Sequence, residues 1–168
     1  MEICVTRFTN ITYNENRKWL NENNEGVGCI YGTPIKIKDT ILPDTTILVI
    51  EMNNSKNRIE GIGIIKNNLT PENRKYYKIY SDNNYNRFIY KSNNRIDKED
   101  FNNSEKEVLT LLEHYLFKTP YHCKRGQGIQ KIPHRVINNK EPNFVRFLIN
   151  MYTTRNMKKD ENQNSEIV

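Results

Sequence analysis

The sequence predicts an α+β domain, built as a small, partly closed mixed β-barrel of about six strands with peripheral helices. Two observations carry this prediction: short apolar, β-branched runs recur over residues 2–91, and apolar residues at helical spacing follow from residue 108. A chain of 168 residues suits one core, and the sequence contains no internal repeat. We therefore expect one domain over residues 1–156 and a disordered tail over residues 157–168.

A predicted β-hairpin over residues 45–66 is the strongest local signal. Its first strand, residues 47–50, is apolar on both faces, which is typical of a central strand that is covered on both sides. The polar residues 53–57 suit a turn, because Asn and Ser tolerate left-handed backbone angles. In the second strand, Gly61 and Gly63 leave one face without side chains, so that a ligand or another backbone can approach closely.

The residues before this hairpin predict a strand, a helix and a second strand. Residues 2–9 alternate as an opening strand, and Thr12 with Glu15 forms a capping box that starts a surface helix. That helix is expected to end near residue 23. Residues 27–31 predict the second strand, which places Tyr31 at a strand edge.

After the hairpin, the sequence predicts two more strands, two helices and a closing strand. The strands cover residues 76–80 and 87–91, with a turn at 81–84 between them. Ser104 and Glu107 form a second capping box, and the helix that they begin stops at Pro120. Residues 129–133 read as the last strand, and the final helix is expected to begin near Pro142.

Composition limits the classes of function. The formal net charge of +6 favours an anionic partner, while the abundance of Asn, Ile and Lys is typical of an AT-rich genome, such as that of a large DNA virus, a protozoan or a bacterium. No apolar run is long enough for a membrane span, and the first residues lack a signal-peptide layout. Three cysteines without close pairing predict free thiols. We expect an intracellular protein of the cytoplasm or nucleus that is neither secreted nor membrane-bound.

Residues 114–140, called here the basic segment, carry six cations and no acidic residue. Such a run predicts contacts to a phosphate backbone, although a solvated basic loop is the simpler alternative. Its two glycines expose backbone N–H groups that can also cradle phosphate. The predicted phosphate-binding residues are Lys124, Arg125, Gly126, Gly128, Lys131 and Arg135.

Tyrosines at the ends of predicted elements favour a nucleic acid over other anions. Tyr31, Tyr80, Tyr85 and Tyr121 stand at such ends, and tyrosine rings there can stack on unpaired bases. The alternative for each ring is a half-buried place in the core. The predicted base-binding set consists of Tyr31, Tyr80, Tyr85, Gly61 and Gly63.

The sequence also offers a metal site and a nucleophilic pair as alternatives. His114, His122, Cys123 and His134 could supply ligands, but they match no standard zinc spacing. Cys123 could pair in space with a histidine, as in a cysteine nucleophile. No phosphate-binding Walker loop, dinucleotide-binding glycine pattern or H-E-x-x-H helix is present. We therefore expect no metal, no cofactor and no enzymatic activity.

The order of elements resembles the PUA-like superfamily, and specifically its YTH and EVE branches. The apolar strand, polar turn and small-residue strand around Gly61-Ile62-Gly63 are similar to the YTH hairpin. Gln130-Lys131-Ile132-Pro133 is similar to the Q-x-I-P approach to the last helix in that family. The resemblance covers roughly residues 2–150.

This resemblance implies a reader of modified nucleobases that holds the base in an aromatic cage. By position, Tyr31 resembles the first cage residue, while Tyr80 and Tyr85 have the spacing of the later aromatic pair. The implied partner is RNA, or DNA that is single-stranded or has a flipped-out base, with or without methylation. Two alternatives stay open: a PUA-like enzyme acting on a small amide or nucleotide, and a viral or host-interaction protein whose basic face binds an acidic protein.

Overall fold

The computed structural model describes residues 1–23, 26–70, 77–138 and 140–165, with side chains up to residue 155. Within these ranges the chain forms seven strands and four α-helices, which confirms the α+β class. The strands are β1 (Glu2–Phe8), β2 (Cys29–Thr33), β3 (Thr46–Asn53), β4 (Arg58–Lys66), β5 (Phe88–Ser92), β6 (Asn94–Asp97) and β7 (Gln130–Lys131). The helices are α1 (Asn10–Glu22), α2 (Asn103–Glu113), α3 (His134–Ile137) and α4 (Phe144–Ser165).

A five-stranded sheet in the order β6-β4-β3-β1-β7 forms the centre of the fold, and β2 with β5 forms a second, two-stranded sheet. The predicted β3–β4 hairpin is confirmed. The first strand, β1, runs parallel to β3, from the pair Glu2–Ile47 to the pair Phe8–Asn53. Because parallel strands end at the same edge of a sheet, the carboxyl ends of β1 and β3 lie side by side.

Both faces of β3 are covered, as the apolar run predicts. Leu48, Ile50 and Met52 pack into a cluster with residues of α2 and α4. The alternate residues Ile47 and Val49 pack with β2 and β5 on the other face. The central strand therefore separates two cores, one under the helices and one under the small sheet.

The glycine face of β4 is occupied by the chain's own side chains. A Cβ atom on Gly63 would lie 1.9 Å from the Tyr31 hydroxyl, and one on Gly61 would lie 2.5 Å from Nη2 of Arg95. Tyr31 is only 1% exposed. The predicted close approach at Gly61 and Gly63 is thus found, but a buried tyrosine and a buried arginine make that approach.

Tyr31 and Arg95 converge there on Glu51, whose side chain is fully buried in β3. The Tyr31 hydroxyl donates to Oε1 of Glu51 at 2.8 Å, and Nη2 of Arg95 donates to Oε2 at 2.7 Å. Burial alone would lower the pKa of Arg95, but its hydrogen bonds and ion pair with Glu51 raise that pKa above its ordinary value. A compensated buried charge therefore lies between the two sheets.

The helices α1 and α2 begin near the predicted capping boxes, but other residues cap them. At α1, Thr9 is the N-cap and accepts from the amide of Thr12, so the helix begins before the predicted Thr12–Glu15 box. At α2, the amide of Glu105 donates to Asn102, two residues ahead of the predicted Ser104–Glu107 box. In this Asn-rich chain several nearby residues satisfy the same spacing.

The strands after the hairpin differ from the prediction. Residues 77–80 form no strand, and Tyr76 lies outside the described residues. Instead, β6 follows β5 after a single residue and pairs with β4.

The helix α4 extends to Ser165, and residues 166–168 lie outside the described part of the chain. The domain boundary at residue 156 and the disordered tail stay predictions.

A second buried carboxylate, Glu60 of β4, predicts a measurable pH dependence of stability. Lys98 Nζ donates to it at 2.6 Å, Arg58 Nε at 3.1 Å and Asn53 Nδ2 at 2.8 Å. Burial alone would raise the pKa of Glu60, but these hydrogen bonds lower it below its ordinary value of 4.5. An acid with a lowered pKa in the folded state stabilises the fold above its unfolded pKa, and this contribution is lost as pH falls through the folded value.

We expect Glu60→Gln to lower the free energy of unfolding by about 1–3 kcal/mol at pH 7. The difference in unfolding free energy between the variant and the wild type should shrink as the pH falls below 4.5, where Glu60 of the unfolded wild type begins to take up a proton. Urea unfolding at pH 7, 5 and 3.5 measures this difference. A difference that stays constant over the three pH values would contradict the assignment.

Candidate functional site

A cavity of about 200 Å³ lies where the carboxyl ends of β1 and β3 meet the first turn of α1. Its size is below the roughly 300–1,000 Å³ of pockets for drug-sized ligands, so it suits a group about as large as one nucleobase. Its walls come from residues 6–9 and Thr12, from Gly32 and Asn54, from Tyr80 and Tyr85, and from the loop that carries Lys124, Gly126, Gln127 and Gly128.

Two tyrosine rings form the aromatic wall of this cavity. The ring centroids of Tyr80 and Tyr85 are 6.1 Å apart, and the ring planes meet at 69°. Tyr80 is 6% exposed, whereas Tyr85 is half-buried. A Cβ atom on Gly32 would lie 2.3 Å from the Tyr85 carbonyl oxygen and 3.0 Å from Cε2 of Tyr80, so only glycine fits beside the pair. Tyr85 is therefore the ring available for stacking.

Two buried asparagines hold Tyr80 in place. Oδ1 of Asn86 accepts from the amides of Ile79 and Tyr80, both at 3.0 Å, and its Nδ2 donates to the Tyr80 carbonyl at 2.7 Å. Nδ2 of Asn16, on the buried side of α1, donates to the Tyr80 hydroxyl at 3.0 Å. Oδ1 of Asn16 accepts from Arg17, which also lies 3.8 Å from Glu51. The aromatic wall is thus linked to the buried carboxylate between the sheets.

Two polar atoms beside the cavity have no hydrogen-bond partner among the described residues. These are Nη1 of Arg7 and Oδ1 of Asn54, and both are buried. The loop binds a second nitrogen of each side chain. Arg7 Nε donates to the Cys123 carbonyl, and Asn54 Nδ2 donates to the Lys124 carbonyl at 2.9 Å. Buried polar groups without partners are uncommon. Both residues line the cavity, but these two atoms have no accessible surface, so a ligand would reach them only after a small side-chain movement.

Arg7 and the loop make the cavity positive. Burial lowers the pKa of Arg7, which reflects a cation that has lost part of its hydration. The Lys124 ammonium lies at the loop and donates to Oδ1 of Asn57 at 2.8 Å. Gly126 and Gly128 have φ angles of +123° and +67°, which turn the loop back over the cavity in a way that side chains disfavour. Arg125, between them and Lys124, is exposed.

The structure brings together part of the predicted site. Tyr80, Tyr85, Lys124, Gly126 and Gly128 line one cavity, and Arg125 belongs to the same loop. The others lie elsewhere. Tyr31, Gly61 and Gly63 are in the interior, Lys131 is paired with Glu2 at 2.7 Å, and Arg135 stacks on Tyr121 with its Cζ atom 4.7 Å from the ring centroid.

Sequence reasoning missed Arg7, Gly32 and Asn54. Arg7 sits in a strand and Asn54 in a turn, and neither forms part of a local motif. They meet because β1 and β3 are parallel neighbours, and Asn54 follows β3 directly with its amide 2.7 Å from the Phe8 carbonyl. A signal would have been available from strand pairing alone, because ligands often bind beyond the carboxyl ends of parallel strands.

A larger groove of about 530 Å³ lies between the start of β1, β7, α3 and the first turns of α4. Among the described residues, its lining consists of Glu2, Lys131, His134 and Arg146, three asparagines and aliphatic residues, and it includes no Tyr, Phe or Trp. It therefore lacks the stacking surface that distinguishes the smaller cavity.

The remaining predicted alternatives can be placed in the structure. Cys4, Cys29 and Cys123 are free, as predicted, and all three are buried. Burial raises the pKa of the Cys123 thiol, which disfavours the thiolate that a nucleophile needs. Within the described ranges, no group of three or more His, Cys, Asp or Glu side chains could hold a metal ion, and no helix is long and apolar enough to cross a membrane.

No protein-family model, no curated protein and no solved structure matches the chain. The resemblance to PUA-like readers therefore stays a prediction. Any inference about function depends on the cavity and its surroundings.

Proposed function

We propose that the protein binds nucleic acid by taking one unpaired or flipped-out base into the cavity beside Tyr80 and Tyr85. A single observation carries this proposal: two tyrosines and a basic glycine loop line the same cavity. They lie about 40 residues apart in sequence, and each was predicted to contact nucleic acid. The size of the cavity suits one base and not a whole nucleotide chain.

The chemistry of the walls supports a base as the ligand. The Tyr85 ring offers a stacking face, which is worth about 1–3 kcal/mol per base. The edge of an unpaired base carries hydrogen-bond donors and acceptors together, which could pair with the Asn54 amide and the Arg7 guanidinium after a small side-chain movement. A simple anion carries no hydrogen-bond donor for the Asn54 oxygen.

The rim supports a contact to the sugar–phosphate backbone. Lys124 and Arg125 lie in the loop that borders the cavity, so phosphates on either side of the inserted base would lie within the field of these cations. Lys131 and Arg135 lie apart from the cavity and contribute only to the general positive charge. We expect an intracellular RNA, or single-stranded or flipped-base DNA, to be the partner.

We also infer that the two sheets form the partly closed barrel of a PUA-like fold. The chain passes from β5 in the small sheet to β6 in the large sheet through Asn93 alone, and the amide of Gly28 donates to the Ser92 carbonyl at 2.9 Å at this corner. Strands that change sheets at a corner are typical of such closure. On this inference, methylated adenine or cytosine would be the natural base to test.

The test is a fluorescence-anisotropy titration with labelled single-stranded RNA and DNA oligonucleotides, with and without methylated adenine or cytosine. We expect binding that weakens as salt rises, because backbone contacts release counterions. The absence of salt-dependent binding to every one of these oligonucleotides would refute the proposed function.

We predict that Tyr85→Ala weakens the binding of the preferred oligonucleotide by about 5- to 150-fold, since stacking on this ring is lost. The matched control is Tyr121→Ala, because Tyr121 is 58% exposed and does not line the cavity. Circular dichroism of both variants tests that the fold is kept. Equal weakening by the two substitutions would argue against the cavity as the base site.

A further inference from the structure

A second aromatic surface lies beside the cavity. It consists of Phe88, whose ring is half-buried, with Lys36 and Arg87 close to the ring, and we call it the Phe88 platform. Nζ of Lys36 and Cζ of Arg87 each lie 5.6 Å from the centroid of the Phe88 ring. Both cations are exposed, and neither forms an ion pair with another described residue.

Strand pairing places this platform next to the cavity. In the small sheet Phe88 pairs with Thr33, directly beside Gly32 in the cavity wall. A Cβ atom on Gly128 would lie 3.2 Å from Cγ1 of Ile35, so the segment that carries Lys36 borders the glycine loop. A chain that leaves the cavity between Tyr85 and the loop can therefore reach the Phe88 platform.

We propose that the Phe88 platform binds the nucleotide adjacent to the one in the cavity. Its base would stack on the Phe88 ring, and its phosphate would lie between the Lys36 ammonium and the Arg87 guanidinium. This inference rests on the proposed function and extends it: the ligand is a single strand of at least two nucleotides, since a duplex offers no free base face to the ring.

An acidic polypeptide is less well matched to the same residues. It would use the two cations, but it would gain little from the aromatic ring beside them. An unpaired nucleotide uses all three side chains at once, because it carries an aromatic face and an anion a short distance apart. The surface therefore favours nucleic acid over an acidic protein partner.

The experiment compares the double variant Lys36→Ala/Arg87→Ala with the wild type on three ligands: a mononucleotide, a dinucleotide and a ten-nucleotide single strand. We expect unchanged affinity for the mononucleotide. For the ten-nucleotide strand the slope of log affinity against log salt should fall by about 0.7–1.4, which corresponds to the loss of one or two ionic contacts. The wild type should gain at least about fivefold in affinity from the mononucleotide to the dinucleotide through stacking, and Phe88→Leu should reduce that gain.

The control is Lys106→Ala/Lys118→Ala, which removes the same charge from the helical layer on the opposite face of the central sheet. If Tyr85-dependent binding persists and the two double variants behave alike, this inference is wrong and the cavity alone binds. If polyglutamate competes as strongly as the oligonucleotide, the platform is a protein-docking surface and the inference is also wrong. If no nucleic acid binds at any length, the proposed function itself fails.

Discussion

Replacement of Glu51 with alanine is expected to lower the free energy of unfolding by about 3–5 kcal/mol, because it leaves the buried Arg95 guanidinium with only the partly exposed Asp97 as a counter-charge. The Arg95 side chain is 7% exposed and donates to both carboxylate oxygens of Glu51. The Tyr31 hydroxyl would lose its acceptor at the same time. Urea unfolding at pH 7 measures the change.

The matched control is Glu22→Ala on α1, where the carboxylate is 60% exposed and lies 3.8 Å from Lys18. An exposed pair of this kind contributes about 0–1 kcal/mol. Glu51→Gln, which keeps the volume and an acceptor for Tyr31, should fall between the two. A Glu51→Ala variant within about 1 kcal/mol of the wild type would show that Arg95 finds other compensation, against the buried-pair reading.

Replacement of Gly63 with alanine is expected to cost about 2–5 kcal/mol, since one methyl group must displace a buried, hydrogen-bonded tyrosine. The new Cβ atom would lie 1.9 Å from the Tyr31 hydroxyl and 2.9 Å from Sγ of Cys29. Neither neighbour is at the protein surface. Thermal and urea unfolding of the variant measure the loss.

Tyr31→Phe should partly rescue Gly63→Ala, because it removes the atom that makes the closest contact. Neighbouring substitutions of this kind commonly show coupling energies of about 0.5–3 kcal/mol. As a control, the new Cβ atom in Gly26→Ala meets no atom of the described residues within 4 Å, and the substitution should cost only about 1 kcal/mol, through the positive φ of +70°. If Gly63→Ala kept full stability and lost nucleic-acid binding instead, the glycine face would be a ligand surface after all.

The elements that the sequence predicts well are those whose signal is contained within a few residues. The β3–β4 hairpin has an apolar run, a polar turn and a second apolar run in one stretch, and its pairing follows from them. The aromatic alternation of residues 77–80 resembles a strand equally well, but these residues form no ladder, and hydrogen bonds to Asn86 hold their backbone instead. The local sequence pattern cannot distinguish a strand from such a segment, because the difference lies in whether a neighbouring strand is present to pair with it.

The same reason explains which site residues could be predicted. Tyr80, Tyr85 and the glycine loop are visible by residue type, and they line one cavity. Tyr31 has the same residue type and a similar position at a strand, yet it turns inward because Gly63 and Glu51 make room and an acceptor for it. Those partners lie 20 or more residues away in sequence. Arg7 and Asn54 became recognisable only once the parallel pairing of β1 and β3 was known.

The two asparagines that secure Tyr80 have a consequence for how fast and how tightly a partner is captured. Because Asn86 fixes the main chain and Asn16 fixes the phenol oxygen, the ring is already oriented before any partner arrives. The Tyr80 side chain then loses little conformational entropy when a ligand binds. The aromatic wall should therefore be rigid, and hydrogen exchange of residues 79–86 should change little on saturation with an oligonucleotide.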